Sequence, residues 1–130
     1  MQIIEEPNIL IVDDTFANLL AMRAALSGLC VKLHEAGSGN EALKQLLRHE
    51  MSLIFMDVRM PIMDGYETAQ CLRELEEYKN IPIIFVTGND DETSDKSLKF
   101  EDSTHIYKPI DRHQIRQLVG KYLYVGLKHA

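Results

Sequence analysis

Leu53-Ile-Phe-Met-Asp57 sets four apolar residues against one acid, and that contrast decides how the rest of the chain is read. A run this short and this apolar reads as a strand buried on both faces, the kind found in parallel sheets. The same arrangement recurs on either side. Asn8-Ile-Leu-Ile-Val12 runs into Asp13-Asp14, Ile83-Ile-Phe-Val86 into Thr87, and His105-Ile-Tyr107 into Lys108-Pro109. In open α/β sheets, ligands bind beyond the carboxyl ends of the strands. Three acids, a hydroxyl and an ammonium are therefore expected along one edge of one sheet. That set suits Mg²⁺ and a phosphoryl group.

Helical patterns fill the gaps between these runs. Thr15–Ser27 reads as a helix with Thr15 at its N-cap and Gly28 as its stop. Val31–Ala36 is a short second strand. After the Gly37-Ser-Gly39 loop, Asn40–Arg48 forms a helix with Ala42, Leu43, Leu46 and Leu47 on one face. Tyr66–Glu77 is the third helix, with Ala69 and Leu72 inward. Thr104–Tyr107 is the fifth strand. Asp111–Leu123 is the last helix, with Ile115, Leu118, Val119, Tyr122 and Leu123 at i, i+3, i+4 spacing. The stretch from Asn89 to Ser103 is the weak one. Asp90-Asp-Glu-Thr-Ser-Asp95 is polar throughout, and only Leu98 and Phe100 are available to pack, so a short, weakly held helix is expected. The total is five βα units in one domain over residues 1–130, with a core of about 8–123.

Composition narrows the function classes. The chain has 130 residues, 45% of them apolar, which suits one globular domain with a real core. No apolar stretch approaches the roughly 20 residues that span a bilayer. Met1-Gln-Ile-Ile-Glu-Glu-Pro7 lacks the basic start and the cleavage site of a signal peptide, so a cytoplasmic location is expected. Net charge is −6, with no basic track for a nucleic-acid backbone. Cys30 and Cys71 read as reduced and half-buried rather than as a disulfide or metal pair. The five histidines (34, 49, 105, 113 and 129) show no metal-ligand spacing, and all but His105 read as surface residues.

Each candidate residue has a bland alternative. Asp13-Asp14 before a helix can be mere capping, Thr87 an ordinary strand-end threonine, and Lys108 half of a weak surface ion pair. Together, at the ends of separate strands, they favour chemistry. Clustered carboxylates repel one another, and burial raises their pKa values; a hard divalent cation relieves both. Asp57 stands singly at its strand end and is the better nucleophile, able to form an acyl phosphate. Lys108 and the metal would offset charge on the transferred oxygens, and Thr87 can donate to them. Pro109 restrains Lys108 to extended backbone and permits a cis bond. In Met60-Pro-Ile-Met-Asp-Gly65, Asp64 is expected to cap the third helix and Gly65 to supply an unusual backbone angle.

Ile9-Leu-Ile-Val-Asp-Asp14, Met56-Asp-Val-Arg-Met-Pro-Ile-Met-Asp-Gly-Tyr-Glu67, Ile81-Pro-Ile-Ile-Phe-Val-Thr87 and Lys108-Pro109, taken in order, resemble the receiver domain of two-component response regulators. The resemblance covers roughly Asn8 to Leu123. It implies a flavodoxin-like (βα)5 three-layer sandwich, with a parallel sheet of order 2-1-3-4-5. It implies Asp57 as phosphoacceptor and Mg²⁺ as cofactor. Asp14 would be a direct ligand, Asp13 a ligand through water, and the Arg59 backbone carbonyl the third protein ligand. Thr87 and Lys108 would contact the phosphate. The donor would be a phosphohistidine on a histidine kinase or histidine phosphotransfer protein, and small acyl phosphates often serve. Such a domain catalyses only its own phosphorylation and dephosphorylation. The resemblance leaves room for a fused or separate output domain and for a phosphorylation-dependent homodimer, with no nucleic-acid or membrane contact by this domain.

Departures from the family pattern concern switching. His105 stands where the family usually carries Tyr or Phe as a rotamer switch, while Tyr107, beside the lysine, is expected on the other face. Glu101-Asp-Ser103 replaces the common Ala-Gly segment before the fifth strand. Arg59 and Asn89 occupy the positions that tune dephosphorylation, and a long Arg59 side chain predicts a slow one. Val12–Leu20 and Met63–Ala69 look most like receivers fused to histidine kinases or other output domains, and Tyr122–Ala130 like the start of a linker helix. Two alternatives stand beside this reading. A dehalogenase-type phosphatase would need an acid where Thr15 lies. A degenerate receiver acting as an interaction module would need a broken acid set.

Overall fold

The computed structural model describes residues 6–88 and 95–123. Asn89 and the stretch after Leu123 lie outside them, so the tuning role of Asn89 and the linker helix have no structural counterpart here. Five strands, β1 (Asn8–Val12), β2 (Lys32–Ala36), β3 (Leu53–Asp57), β4 (Ile83–Thr87) and β5 (Thr104–Tyr107), form one sheet of order β2-β1-β3-β4-β5. All four pairings are parallel, and every βα connection returns the chain to the same sheet end. The five helices are α1 (Phe16–Leu26), α2 (Gly39–Arg48), α3 (Gly65–Arg73), α4 (Asp95–Leu98) and α5 (Arg112–Tyr122). This is the predicted (βα)5 order.

Strand alternation divides the apolar residues into two cores. Leu10, Val12, Ile54, Met56 and Phe85 point to the layer that holds Ala42, Leu46, Ala69 and Leu72 of α2 and α3. Ile9, Ile11, Leu53, Phe55, Ile84, Val86 and Ile106 point to Met22, Ala25, Ile115 and Val119 of α1 and α5. Burial on both faces explains why β3 and β4 are buried at every position. The edge strands β2 and β5 are only partly covered.

Several local expectations change. Thr15 has the backbone of an N-cap, but its side chain makes no capping bond. Asp13 Oδ1 instead accepts the Thr15 N–H at 2.9 Å. In α2, Gly39 is the first helical residue behind the cap Ser38, and Leu47 turns out to solvent rather than joining Ala42 and Leu46. The third helix stops at Arg73, and a 3-10 turn at Glu76–Tyr78 follows. That turn swings the Tyr78 hydroxyl under α2, where the carbonyls of Leu46 and His49 share it and the Met51 N–H donates to it. A continuous helix would carry Tyr78 away from these groups. Of the expected fourth helix the described residues hold Asp95–Leu98, and the polar stretch before Asp95 lies outside them; Phe100 packs behind α4, but Leu98 stays exposed. His34 is half-buried rather than superficial: it stacks on His49 and bonds Asn8 Oδ1 at 3.0 Å.

Candidate functional site

The loops after β1, β3 and β4 and the start of the β5–α5 loop converge at one sheet end. Asp13 follows β1, fixed by its N–H to the Ala36 carbonyl at 3.1 Å. Asp57 ends β3 and pairs with Val86 of β4. Thr87 ends β4, and its carbonyl accepts the Lys108 N–H at 2.8 Å, which draws Lys108 to the same edge. The Lys108–Pro109 bond is cis.

Carboxylate oxygens of Asp13, Asp14 and Asp57 lie within 4.8 Å of one another. Asp13 and Asp57 are buried, while Asp14 is exposed. Lys108 Nζ sits 2.9 Å from Asp57 Oδ1 and 3.7 Å from Asp13 Oδ2. Burial pushes the Asp57 carboxyl up to about 6, and the charges of Asp13 and Asp14 add to this; Lys108 offsets part of it. Burial opposes charge on Lys108, but its bond to Asp57 and the charges of Asp57 and Asp13 outweigh that, so its pKa rises. The site is an acid-rich pocket with one embedded ammonium, short of positive charge. Hard oxygen donors this close, one of them exposed, fit a small divalent cation that keeps some of its water. A cavity of about 260 Å³ adjoins the cluster, with Asp13, Asn18, Asp57 and Lys108 as its polar wall and Met22, Phe55 and Ile110 among its apolar lining.

Asp64 caps α3 through a full capping box with Glu67. Gly65 does not supply the unusual backbone angle; that falls to the almost fully exposed Ile62, at φ 72°. Glycine is needed at 65 for another reason: a Cβ there would run into the carbonyl oxygen of Asp57. Its N–H donates to the Val58 carbonyl at 2.8 Å, which clamps α3 onto the strand end that carries Asp57. Arg59 lies exposed just past Val58.

His105 faces inward, stacked on Phe85 with centroids 5.1 Å apart. Tyr107 is not on the opposite face, because residues two apart on a strand share a face; it is exposed because it lies further along β5, paired with Thr87. Two polar neighbours of the site were not foreseen. Asn18 Nδ2 donates to Asp13 Oδ1 at 3.3 Å, and the Tyr66 hydroxyl bonds His105 at 2.9 Å. Asn18 lies five residues after Asp13, in the first turn of α1, and no helical spacing rule links the two, because Asp13 precedes the helix.

The response regulator receiver domain family model matches residues 9–120. The chain belongs to this family. A sensor histidine kinase, GacS from Pseudomonas protegens, is 29% identical over 127 residues, covering 95% of this chain and 14% of the kinase. The hybrid signal transduction histidine kinase K of Dictyostelium discoideum is 34% identical over 119 residues, covering 85% of this chain and 10% of that protein. The chain thus spans a small fraction of these curated relatives. Among solved structures, the receiver domain of AraT, a response regulator from Geobacillus stearothermophilus, is 31% identical, with a TM-score of 0.74 over 88% of this chain and 91% of that one. The chemotaxis protein CheY4 of Vibrio cholerae shares the fold at 23% identity, with a TM-score of 0.79 over 91% of this chain and 99% of that one. The domain is therefore a receiver of two-component signalling, a signalling module rather than a conventional enzyme. No helix among the described residues is long and apolar enough to cross a membrane.

Proposed function

We propose that this receiver accepts a phosphoryl group on Asp57. The observation that carries the proposal is the buried Asp57 carboxylate at the end of β3, with Lys108 Nζ at 2.9 Å and two more carboxylates alongside. An Asp57 oxygen attacks phosphorus, the bond from phosphorus to the donor's imidazole nitrogen breaks, and the freed imidazole takes a proton from water. The family membership and the kinase relatives support a phosphohistidine donor, on a histidine kinase or a histidine phosphotransfer protein. Asp13, Asp14, Asp57 and the Arg59 backbone carbonyl would hold Mg²⁺, which when bound offsets charge on the phosphoryl oxygens. Lys108 and Thr87 stabilise those oxygens from the protein side.

Phosphorylation shifts an equilibrium between two conformations, because the phosphoryl group binds Thr87 and Lys108 better in one of them. The surface around α4, β5 and α5 then changes, with His105 and Pro109 at the junction, and this change reaches an output domain, fused or separate, or a second copy of the chain. The setting is cytoplasmic. Arg59, exposed beside Asp57, screens the acyl phosphate from water and slows its hydrolysis. Borohydride trapping tests the assignment: after exposure to Mg²⁺ and a small acyl phosphate, reduction converts the modified aspartate to homoserine. Homoserine at position 57 alone is expected; its appearance at 13 or 14 instead would refute the assignment.

A further inference from the structure

We propose that Tyr66 is a positioning residue that holds His105 inward in a single tautomer and ties it to the strand end carrying Asp57. This rests in part on the reading of Asp57 as phosphoacceptor.

His105 makes hydrogen bonds through both ring nitrogens. Nδ1 lies 3.0 Å from the Ser103 carbonyl, which can only accept, so the neutral ring carries its proton on Nδ1. Nε2 is then a lone-pair acceptor, and the Tyr66 hydroxyl, 2.9 Å away, donates to it. Aromatic rings surround the pair. Phe85 stacks on His105, Tyr66 packs on Phe85 with centroids 4.8 Å apart, and Phe100 closes the cluster 5.3 Å from Phe85. One imidazole therefore fastens three elements: α3 through Tyr66, β4 through Phe85, and the turn before β5 through Ser103. A Phe at 105 could stack in the same place but bond neither partner, and a Tyr, with a single oxygen at the ring's tip, has no polar atom where Nδ1 meets Ser103.

Tyr66 is also the residue after Gly65, whose backbone lies against the Asp57 carbonyl with no room for a Cβ. The Gly65 N–H is bonded to Val58. A displacement of the β3 end on modification of Asp57 must move the start of α3, and with it the hydroxyl that orients His105. This is a contiguous route from Asp57 to Ser103 that bypasses Thr87. Coupling along it requires two arrangements of the Tyr66–His105 pair that the Asp57 site can bias.

The direction of the Tyr66–His105 bond follows the tautomer: with the proton on Nδ1 the phenol donates to Nε2, whereas a ring protonated on Nε2 would donate to the Tyr66 oxygen instead. Among the described residues, the groups shown against the ring are uncharged: the Tyr66 phenol from α3, Phe85 from β4 and the Ser103 carbonyl from the preceding turn. Glu101 and Asp102 on that turn, and Tyr107 further along β5, are exposed.

The test uses the whole chain and long-range proton–nitrogen NMR of the His105 ring, with Tyr66→Phe as the variant because it keeps the ring packing and removes only the hydroxyl. Without ligands at neutral pH, the wild-type ring is expected to show a protonated Nδ1 and a bare, hydrogen-bonded Nε2; the Nε2 signature moves to that of an unbonded nitrogen in Tyr66→Phe. On adding Mg²⁺ and beryllofluoride, shifts in wild type are expected at Asp57 and onward to Ser103–Tyr107. In Tyr66→Phe the shifts at Asp57 persist and those at Ser103–Tyr107 are lost. A wild-type ring protonated on Nε2, or shifts reaching Ser103–Tyr107 undiminished in Tyr66→Phe, overturns the proposal. His105→Gln, which keeps a donor and an acceptor, should restore part of the distant shift if hydrogen bonding is what matters; a response identical to that of His105→Ala argues against it. Absence of any shift at Asp57 in wild type would strike at the phosphoacceptor reading instead, and the ligand-free tautomer would still test the Tyr66–His105 bond.

Discussion

The carboxyl end of β1, β3 and β4 and the corner formed by α4 and β5 are built on opposite principles. At the first, every strand residue from Leu53 to Asp57 and from Ile83 to Thr87 is buried, and Asp13, Asp57, Thr87 and Lys108 are each held by backbone pairing to a neighbouring strand. At the second, the described part of α4 is a single turn, Leu98 and Tyr107 are exposed, and β5 lies at the sheet edge. The central edge concentrates like charges, which cost stability and must be rigidly held. Among the described residues, the corner is joined to the sheet by the β4–β5 pairing, the buried Ile106 and the aromatic cluster around His105. Under the proposed function, the chemistry falls where the scaffold is most deeply buried, and the responsive surface falls at the more exposed sheet edge.

Core truncation should divide the two regions most sharply. Phe85→Ala, at a fully buried β4 position, is expected to lower unfolding free energy by about 3–5 kcal/mol. Leu98→Ala, exposed on α4, is expected to change it by less than about 0.5 kcal/mol. Comparable losses in urea denaturation would erase the distinction. Next in size is the strain within the acid cluster. The Asp57 carboxyl rises from 3.8 to about 6 on folding, so the folded chain holds that proton more tightly than the unfolded chain does. Stability from this group is present below the lower value and is lost as pH rises through the upper one. Asp57→Asn should therefore stabilise the metal-free protein at pH 7 by about 1–3 kcal/mol, the gain fading as pH falls toward about 4. Saturating Mg²⁺ should shrink the difference by stabilising wild type. A variant less stable than wild type at pH 7 without metal would contradict this.

Smaller effects sharpen the boundary between the regions. Asp64→Ala removes the capping box of α3 and should cost about 1 kcal/mol in thermal or urea unfolding. Arg59→Ala should shorten the acyl-phosphate half-life about threefold, a modest change in barrier readable by loss of label over time. An unchanged half-life would leave Arg59 without a protective role.

The sheet was legible because parallel strands buried on both faces have to be apolar throughout. Each polar residue that ended such a run, at 13, 57, 87 and 108, was therefore a marker of the same edge. The cap at Asp64 was legible because it is a contact within one helical turn; the reciprocal bond from Glu67 completes it as a capping box. What escaped depended on contacts distant in sequence. Gly65 drew attention as a glycine, but its requirement comes from the Asp57 carbonyl, and no local pattern distinguishes that from a turn. The left-handed backbone at Ile62 contradicts local preference for a β-branched residue. The helix expected to run to Glu77 stops at Arg73, because the following turn brings the Tyr78 hydroxyl to the end of α2. Tyr66 and His105 lie 39 residues apart, and their hydrogen bond is a product of the fold alone.

The account stands on Asp57, its acidic neighbours and Lys108 working as one acceptor site. Phosphoryl uptake from a small acyl phosphate, followed by intact mass as Mg²⁺ is titrated, tests it most directly. Wild type should rise with the metal to one phosphoryl group per chain, while Asp57→Asn stays unmodified at every concentration. Uptake indifferent to Mg²⁺, or equal in Asp57→Asn, would contradict it.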